Sequence, residues 1–432
     1  ERMHLELTRN YIIAERFEIQ ISNPEITAEG AFSAEVQILD KKTNQPLSIS
    51  SDRKATPDAN LGELTFSFGG NLGWMHNSPD FNHSPGGGIP GNPLGLTITW
   101  DGSATGSITA DLSTDMKRPE EWNKIKDDFA NVIGSFYIEA RAGDYNLQTA
   151  VEDFRFDGKP LGIDEGRRKV VDFTAGNGID EDRDRYAGWD KEHGSNTQSC
   201  SSCHLELAYH GGGRRTNNVQ ACIICHNPQR TDANSRSALL ANGETAEYDG
   251  QFEESLDFKR LIHAVHAAAD FREDPFFSGA NNARYSFDKE TGESLSGNGT
   301  IKGNSFPGVL SNCKSCHIED ENTGKWTFDL QQLPEGMIGS TAITADWAKL
   351  KDYDRDTGPQ HDFANHMKMT PIASVCSSCH DAGYKTTEGR MNPDILDGGP
   401  YVGSHWWQMG GIAPGIVRPG NSPQSTKHQS GK

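Results

Sequence analysis

All eight cysteines of this 432-residue chain fall into Cys-x-x-Cys-His pentapeptides, and none is left over. The four units are Cys200-Ser-Ser-Cys203-His204, Cys222-Ile-Ile-Cys225-His226, Cys313-Lys-Ser-Cys316-His317 and Cys376-Ser-Ser-Cys379-His380. Two thiols three residues apart can each add to one vinyl group of the same haem. The following histidine is then placed to send an imidazole onto the iron from that side. Four such motifs that exhaust the cysteines read as covalent attachment of four c-type haems. Zinc is the competing reading, because paired Cys-x-x-Cys units also hold tetrahedral Zn²⁺, but zinc has no need of a histidine directly after every second cysteine. Disulfides within each pair would close small strained rings.

Haem also accounts for the composition. Apolar residues make up only 34 % of the chain, with 46 Gly and 20 Pro, and mean hydropathy is −0.68. A porphyrin is a large flat hydrophobe, so four of them supply core that the side chains do not. The 41 Lys+Arg against 61 Asp+Glu give a net charge of −20, which argues against a nucleic-acid binder, whose affinity comes largely from cationic side chains. No window approaches the roughly 18 apolar residues of a membrane-spanning helix. Attachment of c-type haem takes place outside the cytoplasm, so the chain reads as an exported protein whose leader has been removed.

The two halves differ. Residues 1 to about 190 contain no cysteine and carry short β-rich runs: Tyr11 through Ile21, Ala31 to Leu39, Leu64 to Phe68, Leu94 to Trp100, Ser107 to Ala110, Gly134 to Ala140, Leu147 to Phe156 and Arg168 to Thr174. Separated by Gly, Pro, Asn and Asp turns, these predict an all-β antiparallel sandwich or barrel. One helix interrupts them, with Pro119 in its first turn and Trp122, Ile125, Phe129 and Val132 on one face. Gly86-Gly87-Gly88 reads as a loop, and the acidic run Asp180 to Asp184 as a linker closing the domain. That run begins like a calcium loop. Arg185 and Lys191 stand where the loop needs Gly and Glu, so a solvated acidic segment is the stronger reading. Asp352, Asp354 and Asp356 near Gly358 repeat the ambiguity.

From 191 to 412 every haem motif appears and strand patterns nearly vanish, leaving a mostly irregular and α-helical multihaem domain; residues 413–432 form a polar tail. The clear helix here is Leu256 to Phe271, which carries His263 and His266. Three residues apart, they project from the same side and can each reach a different haem. Of fifteen histidines, four end the motifs and eleven remain. Four of the eleven stand out by context as distal ligands: His210 before Gly211-Gly212-Gly213, His263 and His266 on the helix, and His405 before Trp406-Trp407. His361 and His366, just upstream of Cys376, are the best substitutes; Met367, Met369, Met391 and Met409 are alternatives that fit gap-filling better.

The order Cys-x-x-Cys-His, Ala-Tyr-His-Gly-Gly-Gly-Arg, Cys-Ile-Ile-Cys-His-Asn-Pro, Asp-Phe-Lys-Arg-Leu-Ile-His-Ala-Val-His, Asn-Cys-Lys-Ser-Cys-His, Cys-Ser-Ser-Cys-His-Asp and His-Trp-Trp-Gln-Met-Gly-Gly resembles the N-terminal half of the OmcA/MtrC-type outer-membrane multihaem cytochromes. The resemblance is strong over 195–410 and architectural over 1–190. It implies a Greek-key β-barrel ahead of the haem domain, and electron transfer to extracellular minerals, flavins or other acceptors through redox partner proteins. It places the protein outside the cell or on the outer-membrane surface, with the periplasm as the alternative. It also implies His210, His263, His266 and His405 as the distal ligands. The chain departs from that family in having four motifs where the family's half has five, in lacking an N-terminal lipid-anchor cysteine, and in stopping after one barrel-plus-haem unit.

Bis-histidine coordination predicts an electron relay rather than a substrate-specific enzyme, and the acidic surface predicts low potentials. A reductase with one open iron, and a β domain that binds mineral, flavin or partner itself, are the competing functions. The polar tail Gly420 to Lys432 further suggests subunits stacked head to tail into a filament through a contact that does not close, with His4 or His428 available to it.

Overall fold

A computed structural model describes residues 13–76, 92–115 and 119–160, and beyond them 208–209, 214–215, 220–227, 230, 256–267, 319–320, 325–326, 341–342 and 367–368. Two compact units divide the chain. One comprises Glu1–Pro85, Pro93–Cys225 and Cys313–Leu333; the other comprises Gly86–Asn92, His226–Asn312 and Pro334–Lys432.

The N-terminal part of the first unit is an antiparallel sandwich. Its first sheet contains β1 (Phe17–Ile26), β2 (Ala31–Asp40), β3 (Gln45–Pro46), β7 (Thr97–Thr99) and β8 (Gly106–Asp111), in the order β1-β2-β8-β7 with β3 also on β2. The second contains β4 (Lys54–Ala55), β5 (Leu64–His76), β6 (Leu94–Gly95), β9 (Val132–Ala142), β10 (Tyr145–Asn146) and β11 (Ala150–Arg155), in the order β10-β9-β5-β4 with β11 on β9 and β6 on β5. β2 shows why this chain makes strands: its residues alternate exposed and buried along almost the whole length, as a pleated ribbon with one wet face must.

The expected run Leu94 to Trp100 is present but broken. Leu94 pairs with Leu72 in the second sheet, whereas Thr97 to Thr99 pair with β8 in the first. The chain therefore changes sheet at Leu96, turning a corner of the sandwich. β1 lies against β11 and β7 against β5, so both edges draw toward closure. The run predicted from Tyr11 begins differently as well. Residues 13–16 form a helical turn, which puts Ile13 and Phe17, four apart, into the core together. β1 carries a bulge between Ser22 and Glu25, with Asn23 at φ 55° and Pro24 beside it, where a missing amide costs no ladder bond.

The core is aromatic. Phe32 of β2 meets Phe136 of β9 edge to face at 5.3 Å, and Phe154 lies 5.4 Å from Phe32 and stacks on Phe156 at 5.5 Å. Gly134 is what lets these rings approach β9: a Cβ there would fall 2.5 Å from the Phe154 ring and 2.7 Å from Phe156. Gly134→Ala is therefore expected to destabilise the β domain by about 1–3 kcal/mol, the usual cost of overpacking. Denaturant unfolding followed by tryptophan fluorescence checks this.

Two helices separate β8 from β9. They are α1 (Leu112–Asp115) and α2 (Pro119–Lys126); the 3-10 turn Phe129–Asn131 follows α2. Trp122 and Ile125 of α2 are buried as the sequence predicts, while Val132 enters the core from β9 instead of the helix. Farther along, the described residues include two more helices, α3 (Gln220–Cys225) and α4 (Phe258–Ala267). Three two-residue ladders accompany them: β12 (Ala208–Tyr209) with β13 (Arg214–Arg215), β14 (Glu319–Asp320) with β15 (Lys325–Trp326), and β16 (Thr341–Ala342) with β17 (Met367–Lys368). The predicted strand Arg168 to Thr174, the Gly86–Gly88 loop, the acidic segments at 180–184 and 352–356, and the tail 413–432 lie outside the described residues.

Candidate functional site

The second motif, Cys222-Ile223-Ile224-Cys225-His226, is the one that falls within the described residues. Cys200, Cys203, His204, His210, Cys313, Cys316, His317, Cys376, Cys379, His380 and His405 lie outside them.

The motif is built on α3. In a helix, residues three apart share a side, so Cys222 and Cys225 emerge together while Ile223 and Ile224 turn elsewhere. Both isoleucines are fully buried, and the two cysteines are unbridged and half-buried. Burying each isoleucine is worth about 1.5–3 kcal/mol, which anchors a helix too short to be stable alone. The helix packs against β5, β9 and β11.

That packing uses the face of the second sheet opposite the sandwich core. Along β9, Phe136 and Ile138 belong to the core, so the alternating residues Ser135 and Tyr137 point the other way. Both are nevertheless buried. Asn71 of β5 stands directly opposite Tyr137 and donates from Nδ2 to Tyr137 Oη at 2.5 Å. Tyr137 Oη in turn lies 3.8 Å from Cys225 Sγ. Sequence reading did not find this contact, although one signal was available: β9 is buried on both faces, which requires something to cover its outer side.

His226 begins the second unit and is held twice. Its Nδ1 lies 3.0 Å from the Leu256 carbonyl, and its own carbonyl accepts from Phe258 N–H at 2.9 Å. The second bond satisfies one of the amides that α4 leaves open at its N-terminus. Leu256 N–H donates back to the Arg230 carbonyl, Arg230 N–H to Asn227, and Arg230 Nη1 to Asn92 Oδ1. The start of α4 is thus tied to the histidine of the motif. On α4, His263 and His266 are both half-buried, and His266 Nδ1 lies 2.7 Å from the Ile262 carbonyl.

These bonds fix the chemistry of two imidazoles. A carbonyl can only accept, so Nδ1 must carry the proton in both His226 and His266, and the neutral ring is left with its lone pair on Nε2. This is the arrangement found in metal-bound histidines, whose other nitrogen donates to a carbonyl or carboxylate. Two half-buried thiols beside an imidazole so oriented fit covalent haem.

Residues 195–396 match the family model of the outer membrane cytochrome MtrC/MtrF-like domains II/IV. Over this segment the chain is similar to that cytochrome family. The segment contains all four Cys-x-x-Cys-His motifs together with His210, His263 and His266, while His405 lies beyond it. The crystal structure of MtrC from Shewanella baltica OS185 is similar at 14 % identity and a TM-score of 0.35, covering 90 % of this chain and 43 % of that one. The present chain therefore spans less than half the length of that MtrC chain. No curated protein sequence matches. Among the described residues no helix is long and apolar enough to cross a membrane.

Proposed function

We propose that this chain is a tetrahaem electron-relay unit, exported and working at the cell exterior, that passes electrons between a redox partner protein and extracellular acceptors such as minerals or flavins. Its division is a β domain over 1–190, a haem domain over 191–412 and a polar tail. Cys222 and Cys225 hold one haem, and His226 binds the iron of that haem. His263 and His266 serve as distal ligands, as do His210 and His405. Cys200, Cys203 and His204, Cys313, Cys316 and His317, and Cys376, Cys379 and His380 repeat the second motif's roles.

The observation that carries this reading is the pair of Nδ1-to-carbonyl bonds, on His226 and on His266, which present Nε2 for coordination. When bound, haem supplies reversible one-electron chemistry that no side chain offers. The chain's own contribution is to attach, orient and insulate. Imidazole from both sides leaves no coordination position for a substrate, so the ligand set favours relay over turnover.

Purified protein is expected to contain four covalent haems per chain by intact mass. It is also expected to show a low-spin ferric EPR signal alone and to bind no carbon monoxide when reduced. A colourless protein would overturn the proposal, and carbon monoxide binding by the unaltered protein would replace it with a reductase carrying one open iron.

A further inference from the structure

We propose that Tyr137 is a positioning residue for the haem carried by Cys222 and Cys225, so that the β domain itself builds part of a redox site. The proposal rests on the reading above that the second motif carries a haem.

Tyr137 belongs to β9, a strand of the sandwich, yet its side chain points away from the sandwich core and is 1 % exposed. Its hydroxyl lies close to Asn71 and Cys225. Asn71 Nδ2 is a donor and occupies the phenol oxygen as acceptor, so the hydroxyl proton is turned elsewhere. Cys225 Sγ stands 3.8 Å away, within range for a bond to sulphur. Once the cysteine has become a thioether, its sulphur has no proton of its own but keeps its lone pairs. Between these two atoms the O–H to S direction is then the only one possible. With Ile223 and Ile224 fully buried on the same helix, the bond lies in a setting of low dielectric, where it acts more strongly than in water.

Two consequences follow. The Asn71–Tyr137–Cys225 chain fixes where α3 sits on the sheet, and so where the attached ring is held. The hydroxyl also draws electron density from the thioether at the porphyrin edge, which favours the reduced state. Hydrogen bonds to coordinating or attached groups are a recognised means of tuning such centres.

The test uses the full-length, haem-loaded protein as wild type, Tyr137→Phe and Asn71→Ala. Tyr145→Phe, a tyrosine of the same sheet packed against the core, is the control. Mass spectrometry of the peptide containing Cys222 and Cys225 reports attachment. Spectroelectrochemical titration and the paramagnetically shifted haem-methyl resonances report the individual centres. Tyr137→Phe keeps its haem on that peptide, one midpoint potential falls, and one set of methyl resonances moves while the others stay. Asn71→Ala moves the same potential in the same direction by less, and Tyr145→Phe moves none. Tyr137→Phe with haem attached and every potential and resonance unchanged overturns the role of Tyr137 alone, as does an equal shift in Tyr145→Phe. A Cys222–Cys225 peptide without haem in the wild type overturns the underlying reading and this proposal with it. Should Tyr137→Phe fail to fold, Asn71→Ala decides the question by the same criteria.

Discussion

His266→Ala is expected to keep every covalent haem and yet bind one equivalent of carbon monoxide per chain when reduced, where the unaltered protein binds none. The attachment cysteines are untouched, so stoichiometry by mass stays at its original value. Alanine is the best helix former, so α4 persists and the start of the helix remains tied to His226 through Phe258 N–H. What is lost is one imidazole whose Nδ1 lies on the Ile262 carbonyl and whose Nε2 is proposed to bind an iron. His263, one turn back on the same side, is proposed to serve a different iron and is not expected to replace it. A high-spin ferric EPR signal of one centre accompanies the change, and His263→Ala/His266→Ala together bind two equivalents. Absence of carbon monoxide binding in the single variant would remove His266 from the ligand set.

What made this candidate site legible was the spacing that covalent haem attachment requires. Thioether attachment needs two cysteines and a histidine at one spacing, so Cys222, Cys225 and His226 can be read without knowing the fold. Strands were legible for a similar local reason: β2 and β8 alternate because one face is wet, and Trp122 and Ile125 fall on one side of α2 because that side is buried. The contacts that join these pieces were not legible. Tyr137 and Asn71 lie 88 and 154 positions from Cys225, and nothing in a tyrosine's own neighbourhood says that a helix will cover it. The same holds for Arg16. In a sequence it reads as a surface charge, as arginines mostly are. In the fold it joins Asp40 and Asp58, 24 and 42 positions away, and sits in a helical turn where a strand was expected.

Arg16→Met is expected to destabilise the β domain by about 3 kcal/mol at neutral pH, the lower end of the range for removing one partner of a buried ion pair. Arg16 grips both carboxylate oxygens of Asp40, from Nε at 2.8 Å and Nη2 at 2.5 Å, and reaches Asp58 from Nη1 at 2.8 Å. Methionine keeps much of the aliphatic stem but not the guanidinium, whose Cζ lies 5.3 Å from the centre of the Phe17 ring, so the lost charge dominates. The Asp40 side chain is only 1 % exposed and would be left with the Lys42 amide as its remaining donor among the bonds described. Lys42 Nζ cannot take over, being 61 % exposed and directed to Asp58. The pH dependence follows from the same pair. Arg16 holds the Asp40 carboxyl below its usual range, so the group binds protons more weakly folded than unfolded. Its contribution is therefore complete above about pH 4 and is lost as pH falls through the lower folded value. In Arg16→Met the buried carboxyl has no cation and protonates more readily, so the gap between the two proteins narrows on acidification. Arg16→Met/Asp40→Asn removes the stranded charge while leaving an acceptor for the Lys42 amide, and is expected to recover most of the loss. Urea unfolding of all three proteins at pH 7 and pH 4 measures this. A gap that is independent of pH would mean that Arg16 acts through its guanidinium on the Phe17 ring rather than through its pairing with Asp40.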